Sequence, residues 1–173
     1  VLALYLSRSQ LRKQMAAISS ELRKLWSSKD RIHSQLQNVA VSRKNTDQIL
    51  ALGRIDEEPG RLLRDVAKKL PEPATLKHKI DERQSAMVDA RVTQFQTEQL
   101  LGKAATGPAA VDQFIAENHL DPTAANRAEA QSLLTARRSA LSDLFDIEGR
   151  QVESLAEVSA LQTELLQRSS QLR

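Results

Sequence analysis

The sequence has no cysteine, which excludes a disulfide framework and any thiolate metal site. Both oxidising and reducing compartments remain open to it. Aromatic residues make up only 3% of the chain, although 40% of it is hydrophobic. Compact globular cores draw much of their buried area from Phe, Tyr and Trp. A chain rich in Ala, Leu, Gln, Glu, Arg and Ser instead predicts long exposed helices joined by thin seams. No run approaches the roughly 20 apolar residues needed to span a bilayer. The apolar start, Val1 to Leu6, is short and lacks the basic region and cleavage site of a signal peptide. The chain opens with Val in mid-heptad and reads as a fragment of a longer protein, with any membrane or targeting segment outside it.

Glycine and proline number five each, and neither occurs between Val1 and Leu52. That stretch organises the rest. Leu4, Leu11, Ile18, Leu25, Ile32 and Val39 recur every seven residues. A second row four residues on holds Met15, Leu22 and Leu36, but also Arg8, Lys29 and Arg43. This is a heptad seam with one continuous row and one interrupted by basic residues. As a single helix it would measure roughly 75 Å at about 1.5 Å per residue, and it needs a partner along most of that length. On this pattern Leu25 and Ile32 are buried and Ser28 lies on the outer face.

The remaining punctuation divides the chain further. Gly53 is a helix-ending glycine, with Arg43 and Lys44 near the negative end of the dipole. Gly53 to Gly60 reads as a loop, and Arg61 to Leu70 as a short amphipathic helix stopped by Pro71 and Pro73. The second long helix covers 74–101, with an apolar stripe at Leu76, Ile80, Met87, Val88, Val92 and Phe95. After the break at Gly102 to Pro108 a short helix covers 108–120, with Val111, Phe114 and Ile115 on one side. Asp121 is the expected N-cap, and Pro122 the first residue, of a third long helix over 122–172. Its stripe is Leu134, Leu141, Leu144, Val152, Leu155, Val158, Leu165 and Leu172, with Gln151 as a polar interruption. Gly149 marks either a slight bend or a close helix crossing, because a mid-helix glycine costs about 1 kcal/mol relative to alanine. The expected fold is all-α: one elongated antiparallel coiled-coil or helical bundle over 1–173, with three long helices and two short ones. The first and third long helices, matched in length, are expected to pair antiparallel.

Residues that carry chemistry are sparse. His33, His78 and His119 each read as solvated, none paired with a second ligand at the helical spacing of H-E-x-x-H. The acidic run Asp56, Glu57, Glu58 lacks the alternation, central Gly and distal Glu of a calcium loop. Gly102-Lys103 lacks the rest of a phosphate loop, and the serines form no nucleophile elbow. The expectation is no catalytic, cofactor-binding or metal-binding residue and no enzyme activity.

Net charge is +3 but uneven. Val1 to Arg54 carries ten Lys or Arg against Glu21, Asp30 and Asp47, a local +7 that leaves −4 elsewhere. The simple reading is a basic helix lying against less basic neighbours; the sharper one is a nucleic-acid or anionic-lipid surface. Tyr5 and Trp26 are its only aromatics, few for a stacking groove. Phe95, Phe114 and Phe145 read as packing residues, so no nucleic-acid partner is expected.

Two stretches carry a resemblance. Lys68-Lys69-Leu70-Pro71 gives basic-Leu-Pro punctuation after a short helix. Leu134, Arg137, Arg138, Leu141, Leu144, Arg150, Leu155 and Val158 then follow a Leu-x-x-Arg-Arg-x-x-Leu-x-x-Leu spacing and its continuation. From about Val41 onward this resembles the helical periplasmic region of large, potassium-efflux-type channels of the MscS superfamily. The resemblance implies a periplasmic scaffolding or mechanical module of a mechanosensitive channel in a bacterial inner membrane. It would act in gating or assembly under osmotic stress. Its partners would be the rest of the channel and other subunits, with membrane contact only through segments outside 1–173. Two other readings stand beside it: a general coiled-coil adaptor that binds a partner helix, and a basic nucleic-acid-binding module.

Overall fold

The computed structural model describes residues 2–53 and 57–172, with side chains for 9–53 and 58–172. The seam residue Leu4, the basic Arg8, Tyr5, and the acids Asp56 and Glu57 therefore have side chains outside the described residues. The described chain is all-α, without a strand. Helix α1 runs Leu2–Ala51, α2 Glu57–Lys69, α3 Pro73–Lys103, α4 Pro108–Glu117 and α5 Ala124–Ser170. Contacts group the chain into two units, Val1–Leu22 with Val88–Val152, and Arg23–Met87 with Glu153–Arg173. Each of α1, α3 and α5 contributes to both.

Helix ends follow the local chemistry, with several shifts from expectation. Gly53 has φ +66 and donates to the Leu50 carbonyl, the left-handed closure that glycine makes without a Cβ penalty. Helix α2 starts at Glu57, four residues earlier than expected, and includes Pro59 and Gly60. Proline is tolerated there because an N–H in the first turn has no intrahelical acceptor. Pro73 opens α3 and does not end α2, and the Leu76 amide donates back to the Glu72 carbonyl. Gly102 stays helical, so α3 reaches Lys103. Helix α4 closes three residues before the expected end. The His119 amide donates to the Ala116 carbonyl and the Leu120 amide to the Ile115 carbonyl, with His119 at φ 52. That is a Schellman closure with histidine in the position glycine usually takes. The cap of α5 is Thr123, whose Oγ1 accepts from the Asn126 amide, and not Asp121; Pro122 precedes the helix.

In the first unit, Leu11 of α1, Ala104 just after α3, and Leu141 and Leu144 of α5 form a buried cluster. Met15, Ile18, Leu101, Ala140 and Ile147 pack around it. A second cluster joins Val111, Phe114 and Ile115 of α4 to Ala130 of α5, the small alanine letting α4 approach closely. Each buried leucine of this kind contributes about 1.5–3 kcal/mol. Helices α3 and α5 run antiparallel here. Thr97 bonds Glu148, 51 residues on, whereas Ala104 bonds Arg138, only 34 residues on. Arg138 donates to the Ala104 carbonyl at 2.8 Å, placing a cation at the negative end of α3.

In the second unit α1 and α5 run parallel, contrary to the antiparallel pairing expected for them. Arg43 reaches Gln171 at a sequence separation of 128, and Lys29 pairs with Glu157 at the same separation. The stretch α2–α3 supplies the antiparallel neighbour. Ile32 and Gln35 share a hollow with Leu76 and Lys79, Val39 with Leu70, and Ile49 with Leu62 and Val66. As α1 advances, its neighbours come from ever earlier in α2–α3. Length matching favoured α1 with α5 as opposite legs. The interrupted helices between them form the returning leg, which leaves α1 and α5 pointing the same way.

Candidate functional site

From Leu11 to Val39 the apolar positions of the expected α1 rows face inward. Leu11, Leu22, Leu25, Ile32, Leu36 and Val39 are buried, with Met15 and Ile18 half-buried. The basic interruptions reach α5: Lys29 pairs with Glu157, and Arg43 donates to Gln171. Ser28 is half-buried and lines a hollow, so it is not the outer-face position expected.

Helix α3 departs furthest from expectation. Val88, Val92 and Phe95, read as packing residues, are all more than half exposed. Leu76, Ile80 and Met87 of the expected stripe do face inward. The buried or half-buried face runs Leu76, Ile80, Arg83, Met87, Ala90, Gln94, Thr97 and Leu101, to Ala104 just past the helix. Those positions alternate four and three residues apart, a heptad seam built partly from small and polar side chains. The same holds for α5, where Glu148, Gln162 and Ser169 are buried among Leu141, Leu144, Leu155, Val158 and Leu165.

The polar seam residues converge at two places. In the first unit Glu148 is 1% exposed and Thr97 4%. Thr97 Oγ1 lies 3.0 Å from Glu148 Oε1 and 3.2 Å from the Thr93 carbonyl oxygen. Thr97 donates toward both oxygens, so its single proton is shared between the Glu148 carboxyl and the Thr93 carbonyl. Glu148 Oε2 has no protein partner. Burial pushes the Glu148 carboxyl above its ordinary range, and the Thr97 hydrogen bond opposes this in part. Beside it, a Cβ added at Gly149 would stand 3.1 Å from Gln94 Nε2, so Gly149 is a point of close approach to α3. Gly149→Ala should nonetheless stabilise the chain. The helical preference for alanine is about 1 kcal/mol, and the opposing atom ends a flexible side chain. A thermal melt should show a rise of up to about 2–4 °C for Ala and a fall for Gly149→Leu.

In the second unit Arg83 Nε donates to Gln162 Oε1 at 2.9 Å, at the wall of a hollow of about 200 Å³. Arg31, Lys79 and Glu72 also line it. Burial lowers the Arg83 pKa and Glu82 opposes the shift; the guanidinium remains a cation at neutral pH.

All three histidines are exposed. His78 does have a carboxylate one helical turn on, which the sequence reading passed over. Its Nε2 lies 3.1 Å from Glu82 in an exposed pair. Among the described residues no three His, Asp or Glu side chains gather as a metal site, and no helix is long and apolar enough to cross a membrane. Trp26 is 55% exposed beside the buried Leu25. No family model, curated protein or solved structure matches the chain.

Proposed function

We propose that this chain is a non-enzymatic scaffolding or mechanical module, an elongated helical bundle of three long helices and two short ones. Each long helix has an antiparallel neighbour, and α2–α3–α4 serves as the returning leg. The supporting observation is the parallel course of α1 and α5 in the second unit. A chain that arrives along one helix and departs along another in the same direction carries load in series, as a strut does. A hairpin would return it to its starting point. In this reading the chain has no catalytic, cofactor or metal site and no nucleic-acid partner. Solution scattering tests the shape: a compact chain of this length has a radius of gyration near about 16 Å, and the value should lie well above it.

The resemblance of residues 68–71 and 134–158 supports assigning the module to the periplasmic region of an MscS-superfamily mechanosensitive channel in a bacterial inner membrane. A lever joined to a gate biases opening only by the difference in its contacts between closed and open states. Removing residues 1–173 from such a channel should leave conductance intact and change the tension for opening or the open lifetime. Patch-clamp recording with both unchanged would remove the mechanical role and leave the tether reading.

A further inference from the structure

One hollow in the second unit gathers more positive charge than the described residues neutralise. Its volume is about 200 Å³, and its walls are α1, the α2–α3 junction with the opening of α3, and Gln162 of α5. Its charged lining is Arg31, Lys79 and Arg83 against Glu72 alone. Arg31 and Lys79 form no ion pair among the described residues. Glu72 is engaged locally, where its carboxylate accepts from the Thr75 hydroxyl at 3.4 Å. Arg83 is half-buried in the α3 seam, and its Nε bond goes to Gln162, which is buried and uncharged. That bond fixes the guanidinium plane without neutralising it. A cation drawn into a seam is ordinarily matched by a carboxylate, because an unmatched charge there is costly. Lys29 has such a match in Glu157, whereas Arg83 forms no ion pair among the described residues.

Size and donors select the ligand. Sites for whole small molecules measure about 300–1,000 Å³, so this hollow holds a single group. Guanidinium groups reach it from α1 and α3, an ammonium from α3, and hydroxyls from Ser28 and Thr75. Donors arriving from separate helices suit a tetrahedral oxyanion better than a planar one, and the arginine fork matches phosphate oxygens. Thr75 and Leu76 belong to the opening of α3, so the positive end of that helix dipole lies at the same wall. We infer that this hollow binds a phosphate group, free or carried as a monoester on a small molecule, with Arg31, Lys79 and Arg83 supplying the charge. Gln162 holds Arg83 in place for it. The bound group ties α1 to α3, since its cations come from both helices. The site is independent of the channel reading.

Calorimetric titration of inorganic phosphate into the 173-residue chain, at constant ionic strength set with chloride, should give saturable single-site binding. Arg31→Gln and Lys79→Gln should each weaken it about tenfold or more, because a hydrogen bond to a charged group is lost. Both side chains are exposed, so the fold tolerates the change, and circular dichroism should be unaltered. Glu72→Gln removes the one acid of the lining and should tighten binding. Arg91→Gln, at an exposed position in the other unit, removes the same charge from the chain and should bind as the parent does. Acetate, planar and singly charged, should bind about tenfold or more weakly than phosphate. Glycerol 3-phosphate separates the two sources. Tighter binding than inorganic phosphate assigns the hollow to a phosphate ester, weaker binding assigns it to the free ion, and either result upholds the site. Absence of saturable phosphate binding overturns the proposal, as does acetate binding as tightly as phosphate. So does equal weakening by Arg91→Gln and Lys79→Gln, since net charge and not the hollow would then attract the anion.

Discussion

Leu144→Asp should bring the chain close to unfolding, with a loss of about 4 kcal/mol or more against a total stability of about 5–15 kcal/mol. Leu144 is 2% exposed, and its cluster offers Leu11, Ala104 and Leu141, with Met15, Ile18, Leu101, Ala140 and Ile147 around them. Nothing in that set can pair with a carboxylate. Leu144→Ala, which only opens a cavity, should cost about 2–5 kcal/mol. The same charge at Ile32 should cost less than at Leu144, although Ile32 is 5% exposed. Arg31, Lys79 and Arg83 line the hollow beside it and offer cations to the new acid. Ser27→Asp, on the exposed side of α1, should change stability by less than about 0.5 kcal/mol. Urea midpoints for the four variants give the order directly. Equal midpoints for Leu144→Asp and Ser27→Asp would refute the buried seam.

What the sequence conveyed depended on how each seam is built. In α1 the inward positions are large aliphatics, so a hydrophobic row and a heptad row coincide, and Leu11 to Val39 could be read off. In α3 they do not coincide. The side chains that face the neighbours include Arg83, Ala90, Gln94 and Thr97, while Val88, Val92 and Phe95 face outward. Counting apolar residues mixes the inward Leu76, Ile80 and Met87 with the outward Val88, Val92 and Phe95; counting fours and threes from Leu76 selects the inward set alone. The polar seam positions Glu148 and Gln162 were missed on α5 for the same reason. Helix direction left no local signal at all. Pro59 and Pro73 both read as breaks, yet each sits in the first turn of a helix, where its missing donor costs nothing. Once the segments between α1 and α5 form one returning leg, α1 and α5 must be parallel, a consequence of topology and not of composition.

The other large effect concerns Glu148. Its carboxyl is buried, its Oε2 has no protein partner, and burial raises its folded pKa above the ordinary value of 4.5. Below that value Glu148 is protonated in folded and unfolded chains alike, and it contributes no pH dependence. As pH rises above it, the unfolded chain releases the proton while the folded chain retains it or buries a charge. Stability is therefore lost progressively from the unfolded pKa up to the raised folded one, and the penalty is complete above both. Glu148→Gln removes the titration and keeps a polar partner for Thr97. It should match the parent near pH 4.5 and exceed it at pH 7. Glu148→Leu should also exceed the parent at pH 7, by about 1–3 kcal/mol. It removes an unpaired buried oxygen, and Thr97 still donates to the Thr93 carbonyl. Replacing a buried charged group with an apolar one of similar volume is often neutral or stabilising when the group lacks full partnership. Subtracting parent from variant stability at each pH isolates this carboxyl from the others that titrate. If both substitutions weaken the chain more at pH 7 than at pH 4.5, the ionised carboxylate is held by a favourable contact, and its burial is not a cost.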